Sequence, residues 1–249
     1  MVRLAAVAGL LTWLAGALAA DCGLPSGTQA ARVAQVVDGD TLVLGGGQKL
    51  RLIGIDAPEL GRDDLPDQPQ ARAARDEVLR VVQASGWRVR LLPGREPRDH
   101  YGRRLDHVFD RDGQSLAEHL LRRGLAYQVA IPPNDRFADC HRLAEDEGRA
   151  ARLGLWAAPA LDAASLPRAA QGFQRITGRV QAVRPGRKAT RILLDGGLEL
   201  RIAESDLARF DRDRLVALPG GRVEARGWLY RTRGEPRMRL RHPTALRLM

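Results

Sequence analysis

The chain has 249 residues and a formal charge of +10, with 44% apolar, 28% charged and 4% aromatic residues. That length allows one large domain or two small ones, and the apolar share is ordinary for a globular fold, which sets aside a disordered or collagen-like chain. The charge is lopsided: residues 1–167 hold 21 Lys and Arg against 22 Asp and Glu, whereas residues 168–249 hold 19 against 8. A GC-rich genome would explain why arginine dominates, with Lys49 and Lys188 the only lysines. It would not explain why one third lacks acids, and that asymmetry points to a polyanionic partner.

The first residues, Met1-Val2-Arg3, lead into an apolar run from Leu4 to Leu18 and a small-x-small site at Ala17-Leu18-Ala19. This predicts a secretory signal peptide over residues 1–19 and an extracytoplasmic protein, secreted or periplasmic. The run is short for a spanning helix; an uncleaved membrane anchor is the alternative. Two cysteines, Cys22 and Cys140, follow. An even count behind a signal peptide predicts one disulfide between them; two unpaired thiols are the other possibility.

Residues 21–31 read as an irregular leader, and Arg32 to Ile55 as three strands punctuated by Asp38-Gly39 and Gly45-Gly46-Gly47. Leu60 to Pro69 is a polar loop. Ala71 to Ala84 has a helical apolar period and stops at Gly86. Trp87–Leu92 and Leu105–Phe109 are strands. Ser115 and Glu118 have capping-box spacing, so a short helix is expected up to Arg123. Asn134 is the expected cap of a longer helix reaching about Leu153. Ala157 to Gln171, with Pro159 and Pro167, reads as a linker (residues 158–171). Beyond it come strands at Gln174–Val183, Arg191–Leu194, Leu198–Ile202, Arg222–Leu229, Arg237–Arg241 and Ala245–Leu248. A short helix is expected near Ser205–Phe210. Five or six strands and one helix fit a small OB-like β-barrel over residues 172–249.

Three separated blocks carry chemistry: Asp38-Gly39-Asp40-Thr41, Arg51-Leu52-Ile53-Gly54-Ile55-Asp56-Ala57-Pro58-Glu59, and Asp99-His100-Tyr101-Gly102-Arg103. Asp40 and Asp56 stand at strand ends and offer oxygen to a hard cation, Ca²⁺ or Mg²⁺. Arg51 and Arg103 can clamp a phosphate as its charge grows, and Glu59 can take a proton from water. Strict alternation would put Arg51 and Asp56 on opposite faces, so the chain must bend before Asp56, as Ala57-Pro58 suggests. An arginine in an apolar strand can also be a structural ion pair to Asp38 or Asp40, and Asp38 itself is a turn cap.

In these blocks, taken in order, residues 30–157 resemble the thermonucleases, the staphylococcal-nuclease-like family. The resemblance implies an α+β, mainly β fold: an OB-fold five-stranded barrel with three helices. It implies a Ca²⁺-dependent endonuclease with Asp40, Asp56 and the carbonyl of Ala57 as metal ligands, and with Arg51, Glu59 and Arg103 as catalytic residues. The products would be 3′-phosphates from DNA, RNA or both, single strands preferred, made by a monomer with no protein partner evident. Tyr101 would contact a neighbouring phosphate. The chain departs from the family at Ala57, where relatives often carry Thr, and at His100, where they often carry Lys. The run Tyr127-Gln128-Val129-Ala130-Ile131 also lacks the tyrosines that meet a base. On the C-terminal barrel, Arg237, Arg239 and Arg241 alternate along one strand and could grip a phosphate backbone; an ordinary charged outer face is the alternative. The rival function is a catalytically weak or inactive nucleic-acid-binding protein.

Overall fold

The computed structural model describes residues 22–61 and 63–249, so the expected signal peptide lies outside the described residues. The first half contains β1 (Gln29–Val36), β2 (Thr41–Leu44), β3 (Lys49–Leu52), β4 (Ile55–Asp56), α1 (Ala71–Ala84), β5 (Arg88–Arg98), β6 (Arg104–Phe109), α2 (Leu116–Arg122), β7 (Tyr127–Gln128) and α3 (Ala138–Ala150). Strands β1-β2-β3-β6-β5 close into a barrel, antiparallel except where β3 runs parallel to β6. Val33, Leu42, Leu50, Leu52, Leu91 and Val108 fill it. Each such side chain removed from water contributes roughly 1.5–3 kcal/mol. Helix α1 buries Ala71, Ala74, Val78, Val81 and Val82, a single helical stripe that packs on this core. The sequence placed α1 at the observed residues.

The second half contains β8 (Leu161–Asp162), β9 (Gly172–Arg184), β10 (Ala189–Leu194), β11 (Glu199–Ala203), α4 (Glu204–Leu207), α5 (Arg212–Val216), β12 (Arg222–Thr232), β13 (Glu235–Leu240) and β14 (Leu246–Leu248). Here β9-β10-β11-β13-β12 form a second closed barrel, because β12 pairs back onto β9, and again one neighbouring pair, β11 with β13, is parallel. The topology repeats that of the first barrel, with helices in both cases between the third and fourth barrel strands. Both OB-type barrels were expected.

Several local expectations differ. Ser115 makes no side-chain cap, and Glu118 is buried instead, accepting from the backbone of Cys22 at 3.3 Å and pairing with Arg122 at 3.1 Å. Asn134 lies four residues ahead of α3 and exchanges two hydrogen bonds with the backbone of Glu96, at 2.9 and 2.8 Å. The expected linker is no loose tether: β8 pairs in parallel with β9, and Ala163 is buried in the second core. Cys22 and Cys140 form the expected disulfide, with Cα atoms 5.7 Å apart across 118 residues.

The barrels are joined through charged side chains. Arg226, buried on β12, pairs with buried Glu145 of α3 and donates to Gln128 Oε1 at 3.0 Å. Arg149 of α3 forks onto Glu224, and Arg247 reaches Asp146. Tyr127 stacks on Phe173 with ring centroids 5.4 Å apart. Part of the C-terminal excess of arginine therefore neutralises acids of the first domain.

Candidate active site

The site is assembled where β2 begins and β3 gives way to β4. Asp38 Oδ1 accepts from the Asp40 amide at 3.0 Å, a two-residue turn that aims Asp40 inward. Gly39 is required there: a Cβ would lie 2.6 Å from the Cβ of Ala57 and 2.7 Å from that of Ala74. The missing side chain lets the turn press against the 56–57 segment and α1. Asp40 Oδ2 consequently accepts from the Ala57 amide at 2.8 Å, and Oδ1 from the Thr41 hydroxyl at 3.1 Å.

Arg51, on β3, reaches both carboxylates. Nη1 pairs with Asp40 and Nη2 with Asp56 Oδ1 at 2.7 Å. The bend that permits this is at Gly54 (φ 99°), not at Ala57-Pro58. There β3 ends, and β4 leaves the barrel to pair with β7, Asp56 lying opposite Tyr127. The ring of His141 occupies the space a side chain at Gly54 would need. Arg51 is thus an ion pair, and one that gathers Asp40 and Asp56 around a single positive charge.

Burial pushes the Asp40 carboxyl up to about 8, against the pull of Arg51, and Asp56 up to about 6, where the charge of Glu59 adds to burial. Burial works against the charged form of Arg51, but Asp40, Asp56, Asp38 and Glu59 together outweigh it and hold its pKa above the ordinary value. Four carboxyl groups around one guanidinium leave room for more positive charge. The donors are all oxygen, and Asp40 and Asp56 converge on one cation-sized group, so they fit a hard divalent ion. The Ala57 backbone lies against Asp40 and is buried.

Glu59 is exposed; its amide and carbonyl bond to Gln68, both at 3.0 Å, which fixes the loop behind it. Arg103 is placed differently from Arg51. Its Nε donates to Asp99 Oδ2 at 2.6 Å and its amide to Asp99 Oδ1 at 3.0 Å, closing the turn before β6. The guanidinium lies 5.5 Å from the centroid of Tyr101, which is 75% exposed. So the structure gathers Asp40, Arg51, Asp56 and Ala57, with the charge of Glu59 within reach, and keeps Arg103 and Tyr101 on the adjacent turn.

The C-terminal candidates are engaged rather than free. Arg237 lies 3.7 Å from Glu199, Arg239 pairs with Asp206 at 2.7 Å, and Arg241 donates to the Pro132 carbonyl at 3.4 Å. Sequence reasoning missed the support under β7: the Gln128 amide donates to Glu145 at 2.7 Å, and Arg226 holds both. Its one legible signal was an arginine amid small residues, Ala225-Arg226-Gly227, on a predicted strand.

Comparison with known proteins agrees with this architecture. A family model described as Staphylococcal nuclease homologue matches residues 49–158 and stops before the second barrel. A thermonuclease of Staphylococcus intermedius is 35% identical over 127 residues, 50% of this chain and 74% of that protein. A thermonuclease of Staphylococcus hyicus is 30% identical over 131 residues, 51% of this chain and 76% of the relative. The endonuclease YncB of Bacillus subtilis is 32% identical over 126 residues, 49% and 59% of the two chains. With the barrel, the turn at Asp38–Asp40 and the Arg51-centred cluster in place, the chain belongs to the family of staphylococcal nuclease homologues.

Proposed function

We propose that this chain hydrolyses phosphodiester bonds of DNA, RNA or both, as a metal-dependent endonuclease working outside the cytoplasm. The observation that carries the reading is the convergence of Asp40 and Asp56 on one guanidinium with Glu59 close by. Its relatives, two thermonucleases and an endonuclease, support the same class, and the Cys22–Cys140 disulfide supports an oxidising compartment. Among the described residues no helix is long and apolar enough to cross a membrane.

Asp40, Asp56 and the carbonyl of Ala57 would hold the ion, Ca²⁺ by resemblance, which supplies charge neutralisation and Lewis acidity at the phosphate. Glu59 accepts a proton from the water whose oxygen bonds to phosphorus. Arg51, already held at the carboxylate pair, donates to the phosphoryl oxygens as their charge grows. The bond to the 5′-oxygen breaks, that oxygen takes up a proton, and the 3′-phosphate remains. Arg103 joins by exchanging Asp99 for phosphate, and Tyr101, exposed beside it, meets the neighbouring one. Residues 30–157 are the nuclease unit and 172–249 an added unit.

The test compares the protein with a Glu59→Gln variant on labelled single-stranded DNA and RNA, with calcium and with chelator. Cleavage should require the cation and fall about 10²–10⁴-fold in the variant. Because Glu59 is exposed, its melting temperature should stay put. Protein that shifts nucleic acid on a gel yet leaves it uncut under all these conditions would instead be a binding module.

A further inference from the structure

The β9–β10 turn and the strands beside it carry cations that the candidate active site does not use. Directly opposite partners across four adjacent strands are Arg184 on β9, Arg191 on β10, Arg201 on β11 and Arg239 on β13. Their strand neighbours Ile192, Leu200, Ile202, Met238 and Leu240 are buried in the barrel. Alternation therefore puts all four guanidiniums on the outer face. Neighbouring strands lie about 4.8 Å apart, so the row spans about 15 Å. The turn at one end of it adds Arg187 and Lys188, both exposed. Gly186, Arg187, Lys188, Ala189, Arg191 and Arg201 line a surface depression of about 320 Å³.

Two features separate this face from the rest of a molecule rich in ion pairs. First, Arg184, Arg187, Lys188 and Arg191 form no ion pair with a carboxylate among the described residues. Arg201 has only Glu199 at 3.6 Å, an acid it shares with Arg237, and Arg239 has Asp206. Second, like charges directly opposite in a ladder destabilise a sheet, yet here arginine faces arginine at three successive pairings. A polyanion laid across the row would remove that repulsion. On an OB barrel, the second and third strands and the loop joining the first two are a surface that accommodates oligonucleotides, and here these are β10, β11 and the 185–188 turn.

We propose that this face is a phosphate track for single-stranded nucleic acid, with Arg184, Arg187, Lys188 and Arg191 as its main contacts and Arg201 and Arg239 at its edge. It shares Arg239 with the Arg237–Arg239–Arg241 strand but is centred on β10 and the 185–188 turn, and it rests on the nuclease reading only for the identity of the polyanion. The track raises the local concentration of long substrate and takes no part in bond cleavage.

The test is fluorescence anisotropy with a labelled 20-nucleotide oligodeoxythymidylate in chelator, from 50 to 200 mM salt. The whole protein is compared with the variant Arg184→Gln, Arg187→Gln, Lys188→Gln, Arg191→Gln. A control removes four exposed arginines elsewhere: Arg88→Gln, Arg152→Gln, Arg212→Gln and Arg214→Gln. Affinity should fall at least tenfold in the track variant at the lowest salt. The slope of log K against log salt should shrink by about 0.7 for each cation lost, and the melting temperature should hold or rise as repulsion is relieved. The control should retain most of the affinity. An unchanged slope in the track variant would overturn the proposal, as would an equal loss in the control, which would mean that net charge alone matters. So would retention on anionic lipid vesicles without oligonucleotide binding. Cleavage of a dinucleotide should be the same in the track variant as in the unmodified protein. If nothing is cleaved but the track variant still loses binding, the nuclease reading fails and the track stands.

Discussion

The two barrels share a strand order and a parallel closing pair, yet the loop between their first two strands carries opposite chemistry. In the first barrel, residues 37–40 place Asp38 and Asp40 inside, each at most 5% exposed. In the second, residues 185–188 place Arg187 and Lys188 outside. The topology supplies a positioned loop; the side chains decide whether it gathers a cation or an anion. Burial is the sharper difference. The acids are buried, and Arg51 offsets the desolvation of Asp40, whereas the bases stay in water at no such cost.

The comparison can be broken first at the staple that only the first barrel possesses. Reducing Cys22–Cys140, or replacing both cysteines by serine, should cost about 4–5 kcal/mol in the chain-entropy treatment of so long a loop. Thermal unfolding with and without reductant checks this, and an unmoved transition would show that the bridge constrains nothing. Next comes the joint between the barrels. Arg226→Ala strands the buried Glu145 carboxylate, whose pKa burial already raises. The expected loss is about 3–5 kcal/mol, with cleavage reduced as well because β7 backs the strand that carries Asp56. A variant as stable as the parent would mean that the barrels fold independently of this contact.

The most gradual effect is one of pH, confined to the first barrel. Burial lowers the pKa of His107 to about 4 and of His141 to about 3, whereas in the unfolded chain they titrate near 6.5. The unfolded state thus binds more protons below that value. The stability these residues contribute is complete above about pH 6.5 and drains away as pH falls toward 4, by at most about 1.4 kcal/mol per pH unit for each. Chemical denaturation between pH 7 and 4 would show it, and His107→Gln should flatten the dependence.

Much of this was legible in the residues themselves. Helix α1 announced itself by its apolar period and the glycine past its end. Most strands of both barrels were found to within a few residues, since alternating burial writes itself into sequence, but β5 runs past Pro93 to Arg98, beyond the expected end at Leu92. Asp40, Arg51 and Asp56 were nominated because they sit within 17 residues of one another, at strand ends bounded by glycine and proline. Local signals misled where a long-range partner outbid them. Asn134 had a helix to cap and took the Glu96 backbone; Glu118 had a capping box to complete and accepts from the Cys22 amide, 96 residues away, instead.

By itself, then, the sequence determined the elements, the two-barrel outline and the acidic cluster, because each rests on periodicity or on neighbours close along the chain. Tertiary structure alone decided that the chain bends at Gly54 so that β4 leaves the barrel and pairs with β7. It also decided that Arg226 crosses to Glu145, 81 residues away, and that four arginines from four strands stand in one row. The row depends on strand register and on the parallel β11–β13 pairing, and no local pattern encodes which residue of one strand faces which of another.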